Sequence, residues 1–215
     1  MRAIFKSNYY FLFPYFIFLL LGGILIAFNS KVNIHLTFNS FHTSFCDTFF
    51  TYITYLGDGV TALLVAIMLL VVKYRYVLIV GLSNIIASLV TQVLKQTVFA
   101  DALRPKKYFE GLHDLYFVPG VKNFLYNSFP SGHTTCAFAL YFSFSLIVKN
   151  NTLKFLFFIV AILVGYSRVY LSQHFFEDIY AGSLIGVVVT LIVFYLIQKN
   201  DSKKLEQSLI FIFKI

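Results

Sequence analysis

An all-α, polytopic membrane bundle is the fold class this sequence predicts, and three observations predict it. The 215 residues are 59% hydrophobic and only 12% charged, against roughly 45–50% and 25% in soluble globular chains. Mean hydropathy is +0.80. Several apolar runs approach the roughly 20 residues that cross a bilayer as a helix. These features exclude a disordered chain, a disulfide scaffold and a water-soluble enzyme. The net charge of +8 fits a membrane better than nucleic acid, because no basic stripe is interleaved with base-stacking aromatics. Basic residues gather instead in loops, where anionic lipid attracts them.

The chain, residues 1–215, reads as one domain with six spans and short interfacial helices. The first span covers about residues 9–28, after Arg2 and Lys6. A cleaved signal peptide competes for this segment, but the apolar stretch is longer than a usual signal core and lacks an Ala-x-Ala site. Residues 29–57 mix Phe with Thr and predict one amphipathic helix in the interface, ending at Gly57-Asp58-Gly59. A second span, about 60–72, is short and borrows a turn from that segment. The remaining spans are expected at about 76–98, 134–148, 155–171 and 178–197. The basic tail that follows ends in LIFIFKI, which suits the headgroup layer. Cys46 and Cys136 have no metal or redox spacing. Cys136 falls in an apolar run and reads as a buried small residue, with a Cys46–Cys136 disulfide as the minor alternative.

Charge asymmetry predicts the orientation. With the N-terminus inside, Arg2, Lys6, Lys73, Arg75, Lys149, Lys154, Lys199, Lys203, Lys204 and Lys214 are cytoplasmic, against only Asp201 and Glu206. The other side then holds seven basic and seven acidic residues. Six spans with both termini cytoplasmic satisfy the positive-inside rule. No internal repeat supports a transporter built from inverted halves.

Charges within or bordering apolar spans cost about 2.5–3.5 kcal/mol each on insertion scales, so they mark where chemistry is expected. Three clusters map to the outer side. Lys95 closes the third span and is followed by Arg104-Pro105. Pro130-Ser131-Gly132-His133 precedes the fourth span. Ser167-Arg168 and, further on, His174 and Asp178 bridge the fifth and sixth. The chain has only four arginines, and Arg104 and Arg168 are two of them. With Lys95 they supply positive charge and forked donors suited to a phosphate dianion. Ser131 and Gly132 open a helix whose free N–H groups form an anion site, with Gly allowing close approach. His174 and Asp178, four apart, share one helix face. The carboxylate then accepts from one ring nitrogen and leaves the other as a nucleophile. His133 is the candidate acid for the leaving oxygen. This set describes phosphoryl transfer through a phosphohistidine, without metal or cofactor, since no carboxylate cluster for Mg²⁺ stands beside it. Arg168 and His174 are six apart, roughly 120° out of alignment on an unbroken helix. They converge only if the helix ends near residues 171–173.

These motifs resemble the type 2 phosphatidic acid phosphatase (PAP2) superfamily. Its third motif, Ser-Arg, five residues, His, three residues, Asp, is met from Ser167 to Asp178, and its second, Pro-Ser-Gly-His, at Pro130–His133. Its first, Lys, six residues, Arg-Pro, is met with eight residues between Lys95 and Arg104. Strict spacing falls on Thr97, and a looped connection is expected to absorb the difference. The resemblance covers a core of about residues 57–197 and implies a nucleophilic His174, oriented by Asp178, with His133 as acid. It implies phosphate binding by Lys95, Arg104, Ser131, Gly132 and Arg168, and no divalent metal.

A site bounded by helix ends on one membrane face suits a phosphate whose tail stays in the bilayer. The leading expectation is a lipid phosphatase acting on undecaprenyl pyrophosphate, phosphatidic acid, phosphatidylglycerophosphate or lipid A, at the outer face of a bacterial cytoplasmic membrane. Transfer of the phosphoryl group to an acceptor sugar or lipid is the alternative, and a non-enzymatic lipid transporter the more distant one. The partners are the substrate and membrane lipid, without nucleic acid or an obligate protein. His113, Asp114, Lys106 and Lys107 read as solvated loop residues, and His35 and His42 as interfacial surface.

Overall fold

The computed structural model describes residues 2–212, and no strand occurs among them. The helices run in order α1 (Arg2–Ser7), α2 (Tyr9–Phe28), α3 (Lys31–Asn39), α4 (Ser44–Ile53), α5 (Gly59–Leu69), α6 (Tyr74–Thr97), α7 (Pro105–Tyr108), α8 (Gly132–Ile147), α9 (Asn151–Tyr170), α10 (Phe176–Gln198) and α11 (Leu209–Ile212). Short 3-10 segments occupy Thr54–Gly57 and Lys203–Glu206. Among the described residues, α2, α6, α9 and α10 are each long and apolar enough to cross a membrane. Residues Ser44–Gly57 and Gly59–Leu69 together make a fifth candidate span, bent by 52°. The expected fourth span corresponds to α8, whose 16 residues reach only about 24 Å at the α-helical rise.

The predicted single helix over residues 29–57 is instead two, α3 and α4, followed by a 3-10 turn. Each start has its own cap: Ser30 accepts from the Asn33 amide and Thr43 from the Cys46 amide, both at 3.2 Å. A side-chain acceptor at an N-cap satisfies a donor that the helix itself cannot, and the second cap at Thr43 starts a new helix. Asp58 caps α5 in the same way, accepting from the Val60 amide at 3.3 Å.

The middle of the bundle is α8, enclosed by α6, α9 and α10. Its residues from Thr134 to Ser143 are buried without interruption. Phe11 and Tyr15 of α2, Phe138 and Phe142 of α8, and Phe158 and Val164 of α9 share one core. Side chains such as Leu20, Leu63, Ile85 and Leu196 are exposed, as apolar groups facing lipid tails would be. Within lipid, helices associate through close backbone packing rather than water exclusion, and glycines provide it here. A Cβ on Gly186 would stand 2.6 Å from the Thr135 carbonyl oxygen, and one on Gly182 would stand 2.7 Å from that of Ser131. On the other side, a Cβ at Gly57 would come within 2.8 Å of the His133 carbonyl oxygen. The N-terminal turn of α8 is therefore gripped by backbone on two sides, which fixes where Ser131 and His133 stand.

The opposite end of the bundle is fastened by the tail. Arg75 donates to the carbonyls of Ile197 and Asn200, each at 2.8 Å, and pairs with Glu206. Lys73 reaches the same carboxylate at 2.6 Å. Lys154, expected as a loop charge, is buried, and its ammonium donates to the Ser7 carbonyl. Lys214 lies outside the described residues. Both cysteines are free.

Candidate active site

The turn between α9 and α10 sits where Arg168 and His174 need it. Helix α9 stops at Tyr170, and Ser172 adopts a left-handed φ of 51°. The amides of Gln173 and His174 then both donate to the Arg168 carbonyl, at 2.9 and 3.0 Å. This rotates His174 off the α9 register and towards the side of the bundle where α10 begins. Asp178 lies in the first turn of α10, where the helix dipole favours an anion. Its Oδ2 accepts from the Phe175 amide (3.0 Å), from Ser128 Oγ (2.5 Å) and from His174 Nδ1 (3.1 Å). His174 and Asp178 are almost wholly buried, at 2% and 1% exposure. With Nδ1 donating, the lone pair of a neutral His174 resides on Nε2.

Three cations surround this pair. Lys95 Nζ donates to the Asn127 carbonyl at 2.7 Å, and Arg104 Nη2 donates to the same oxygen at 3.4 Å. The two residues converge despite their spacing, because residues 98–104 loop back after α6. Thr97 points away, exposed and bonded to the Val93 carbonyl. Arg104 also donates to the Tyr126 and Gln173 carbonyls, at 2.9 and 3.1 Å. Arg168 is buried and donates from Nη1 to Thr54 Oγ1 at 2.6 Å. Its buried Nε–H has no protein partner among the described residues. A buried unpaired donor on a cation is expensive, and an anionic ligand would satisfy it. Burial, reinforced by the positive fields of Arg104, Lys95 and Arg168, holds the His174 imidazole well below the ordinary histidine value of 6.5. It is neutral, the state a nucleophile requires.

The third component is the start of α8. Ser131 caps the helix, accepting from the Thr134 amide at 3.4 Å and the Thr134 hydroxyl at 2.9 Å. Its own amide donates to the Asp178 carbonyl at 3.0 Å, which ties the second motif to the third. Gly132 and His133 hold the first two helical amides, which have no acceptor within the helix. A Cβ on Gly132 would meet no atom within 4 Å, so the missing side chain leaves room for a ligand at those amides. His133 lines a cavity of about 230 Å³ with Gly57, Thr91 and Gln92. That cavity shares Gly59, Ser88, Gln92 and Cys136 with an apolar groove of about 620 Å³ between α5 and α6.

All eight residues singled out in the sequence thus gather at one end of the bundle. His113 and Asp114 are exposed loop residues, as expected. His35 is not: it is fully buried, packed against Phe109 and Phe175. Those rings come from distant segments, which the local pattern of α3 could not reveal. Thr54, Ser128 and Gln173 also serve the site without any motif to mark them. Gln173 holds the 120s loop in place, donating to the Lys122 carbonyl at 2.8 Å and to Asn123 Oδ1 at 2.5 Å.

Comparison with known proteins shows the family and the fold. The sequence profile of the PAP2 superfamily matches residues 76–202. The bacitracin transport permease protein BcrC of Bacillus licheniformis is 39% identical over 69 residues, 32% of this chain and 33% of that protein. A probable lipid phosphate phosphatase 4 of Arabidopsis thaliana is 37% identical over 86 residues, 33% of this chain and 28% of the relative. The chain thus spans about a third of the length of these curated relatives. Among solved structures, LpxE of Aquifex aeolicus superposes with a TM-score of 0.68 at 27% identity, covering 76% of this chain and 94% of that one. The first transmembrane PAP2-type phosphatidylglycerolphosphate phosphatase of Bacillus subtilis superposes with a TM-score of 0.63 at 24% identity, covering 93% and 99%. This second likeness concerns the fold.

Proposed function

The chain belongs to the PAP2 superfamily, and from that premise we propose that it is a membrane lipid phosphatase working through a phosphohistidine. The observation that carries the reading is the buried pair of a neutral His174 and the Asp178 carboxylate, ringed by Lys95, Arg104 and Arg168, with an apolar groove adjoining the cavity that His133 lines. In the first step His174 Nε2 attacks phosphorus, the bond to the lipid oxygen breaks, and that oxygen takes a proton from His133. In the second, His133 takes a proton from water, the hydroxide attacks phosphorus, and the P–N bond breaks. Orthophosphate leaves and His174 returns to its neutral form. Lys95, Arg104, Arg168 and the amides of Gly132 and His133 carry the phosphoryl charge, most of all in the transition state, where preorganised donors contribute most.

The groove between α5 and α6 would hold the lipid tail, which places the substrate among phosphorylated lipids such as undecaprenyl pyrophosphate, phosphatidic acid, phosphatidylglycerophosphate or lipid A. The full arrangement is six spans, with α8 as the fourth, both termini cytoplasmic and the site facing outward in a bacterial inner membrane. The permease named among the relatives raises a transport reading. Here, however, Lys95, Lys154, Arg168 and Asp178 all lie near helix ends, whereas a polar path would need charge at mid-depth.

Phosphate release by purified protein, over a panel of lipid phosphates in excess EDTA, tests the proposal. Release is expected from at least one long-chain lipid. A phosphorylated acceptor in place of free phosphate would establish transfer, and no turnover of any kind by folded protein would sink the reading. The groove has its own check in Gly81, which lines it and where a Cβ would meet no atom within 4 Å. Gly81→Leu is therefore expected to fold normally while displacing tail methylenes, each worth about 0.8 kcal/mol. A loss of two predicts roughly a tenfold lower kcat/KM for long-chain substrates, with no change for a short water-soluble phosphate.

A further inference from the structure

We propose that His35 is a positioning residue that holds the catalytic turn through Ser172, an inference that rests on the phosphohistidine reading above. Its helix, α3, contributes no residue to the phosphate site, yet His35 is 0% exposed. Nε2 meets Ser172 Oγ at 3.3 Å. The same ring lies 5.3 Å from that of Phe175, inclined at 64°. Ser172 and Phe175 bracket Gln173-His174, so one imidazole touches the turn on both sides of the nucleophile.

Ser172 is the position that makes the turn. A left-handed conformation is uncommon for serine and persists when surrounding structure determines it. Two α3 side chains, one helical turn apart, do so here. Asn39 Nδ2 donates to Ser172 Oγ at 3.1 Å, beside the contact from His35. Asn39 is itself locked, donating to the Tyr116 carbonyl and accepting from the Tyr116 amide, both at 2.8 Å. The fastening therefore runs from the loop at Tyr116 through α3 to the turn.

The hydrogen bonds at Ser172 distinguish this role from space filling. Ser172 Oγ accepts from Asn39 and keeps one proton to give His35 Nε2, or else accepts from Nε2–H as well. In either tautomer His35 Nδ1 is left buried without a partner. A position that only needed filling would be served by Leu or Phe, with no orphaned polar atom. What histidine adds is the bond to Ser172.

The test compares wild type with H35L, H35Q, S172A and H35L/S172A, reading phosphate release, thermal midpoint and hydrogen exchange of segment 171–175. H35L is expected to lower kcat at least about tenfold, since small misplacements of reacting groups are costly. KM should stay within about twofold, the thermal midpoint should be little changed, and exchange at the turn should be faster. H35Q, whose amide reaches Ser172, is expected to restore both kcat and protection. S172A, which also loses the bond from Asn39, should be at least as impaired as H35L, and the double variant should be no worse than S172A, since both changes remove the same His35–Ser172 interaction. Wild-type kcat in H35L, equal loss in H35Q and H35L, or additive losses would overturn the proposal. Exchange requires no turnover. An inactive wild type would therefore sink the phosphatase reading alone, whereas equal exchange in all variants would sink the role of His35.

Discussion

His174→Ala is expected to abolish phosphate release, by about 10⁴-fold or more, as loss of a nucleophile does elsewhere. The fold should survive, because Asp178 keeps its bonds from Ser128 and the Phe175 amide. Phosphate release beside the thermal midpoint checks both halves. The wild-type pH profile gives a second measure of the same atom. An ordinary imidazole loses half its nucleophile at pH 6.5, but burial and three cations hold His174 well below that value. The acid limb of kcat/KM assigned to His174 should accordingly fall well below pH 6.5. Stability carries the same shift with a definite sign. Below about pH 6.5 the unfolded chain binds a proton that the folded chain does not, so stability is greatest above that pH and declines on acidification. His35, lowered by burial to about 4, adds in the same direction. A thermal midpoint that rose between pH 7 and pH 5 would contradict both assignments.

Asp178→Asn is expected to have the next largest effect, a loss of about 10²–10⁴ in kcat with the fold retained. Three donors converge on Oδ2, and an amide oxygen can accept from all of them. What disappears is the negative charge that stabilises His174 as its positive charge develops during attack. Asp178→Ala differs, because it strands the buried Ser128 hydroxyl, Phe175 amide and His174 Nδ1–H. Each unsatisfied donor costs about 1–3 kcal/mol, so that variant should lose stability as well as rate. Comparable kcat in Asp178→Asn and wild type would reduce the carboxylate to a structural acceptor.

Much of this was legible in the chain itself. Helix α2 falls at the predicted residues, and the other long helices fall within a few residues of the predicted spans. Long apolar runs bounded by charge declare themselves, because inside a bilayer the backbone has to satisfy its own hydrogen bonds. The eight candidate residues were also legible, since an ionisable group beside an apolar span is costly and stands out, and Ser131 and Gly132 adjoin one such group, His133. Even the break after α9 followed from helical period, because Arg168 and His174 cannot meet without it.

The tertiary structure alone decided what those residues rest on. Residues 29–57 became two helices, because a threonine that looks like part of the pattern caps the second. Lys95 reaches Arg104 across a loop, through a shared Asn127 carbonyl. Ser128, Thr54 and Gln173 entered the site, and His35 moved from expected surface to the interior. The reason is the same in each case. Periodicity and insertion cost are properties of neighbours along the chain, whereas a hydrogen-bond acceptor or covering ring can come from any distance in sequence. Sequence by itself singled out the candidate groups for the chemistry; only the packing of α3, α8, α9 and α10 determined what holds them still.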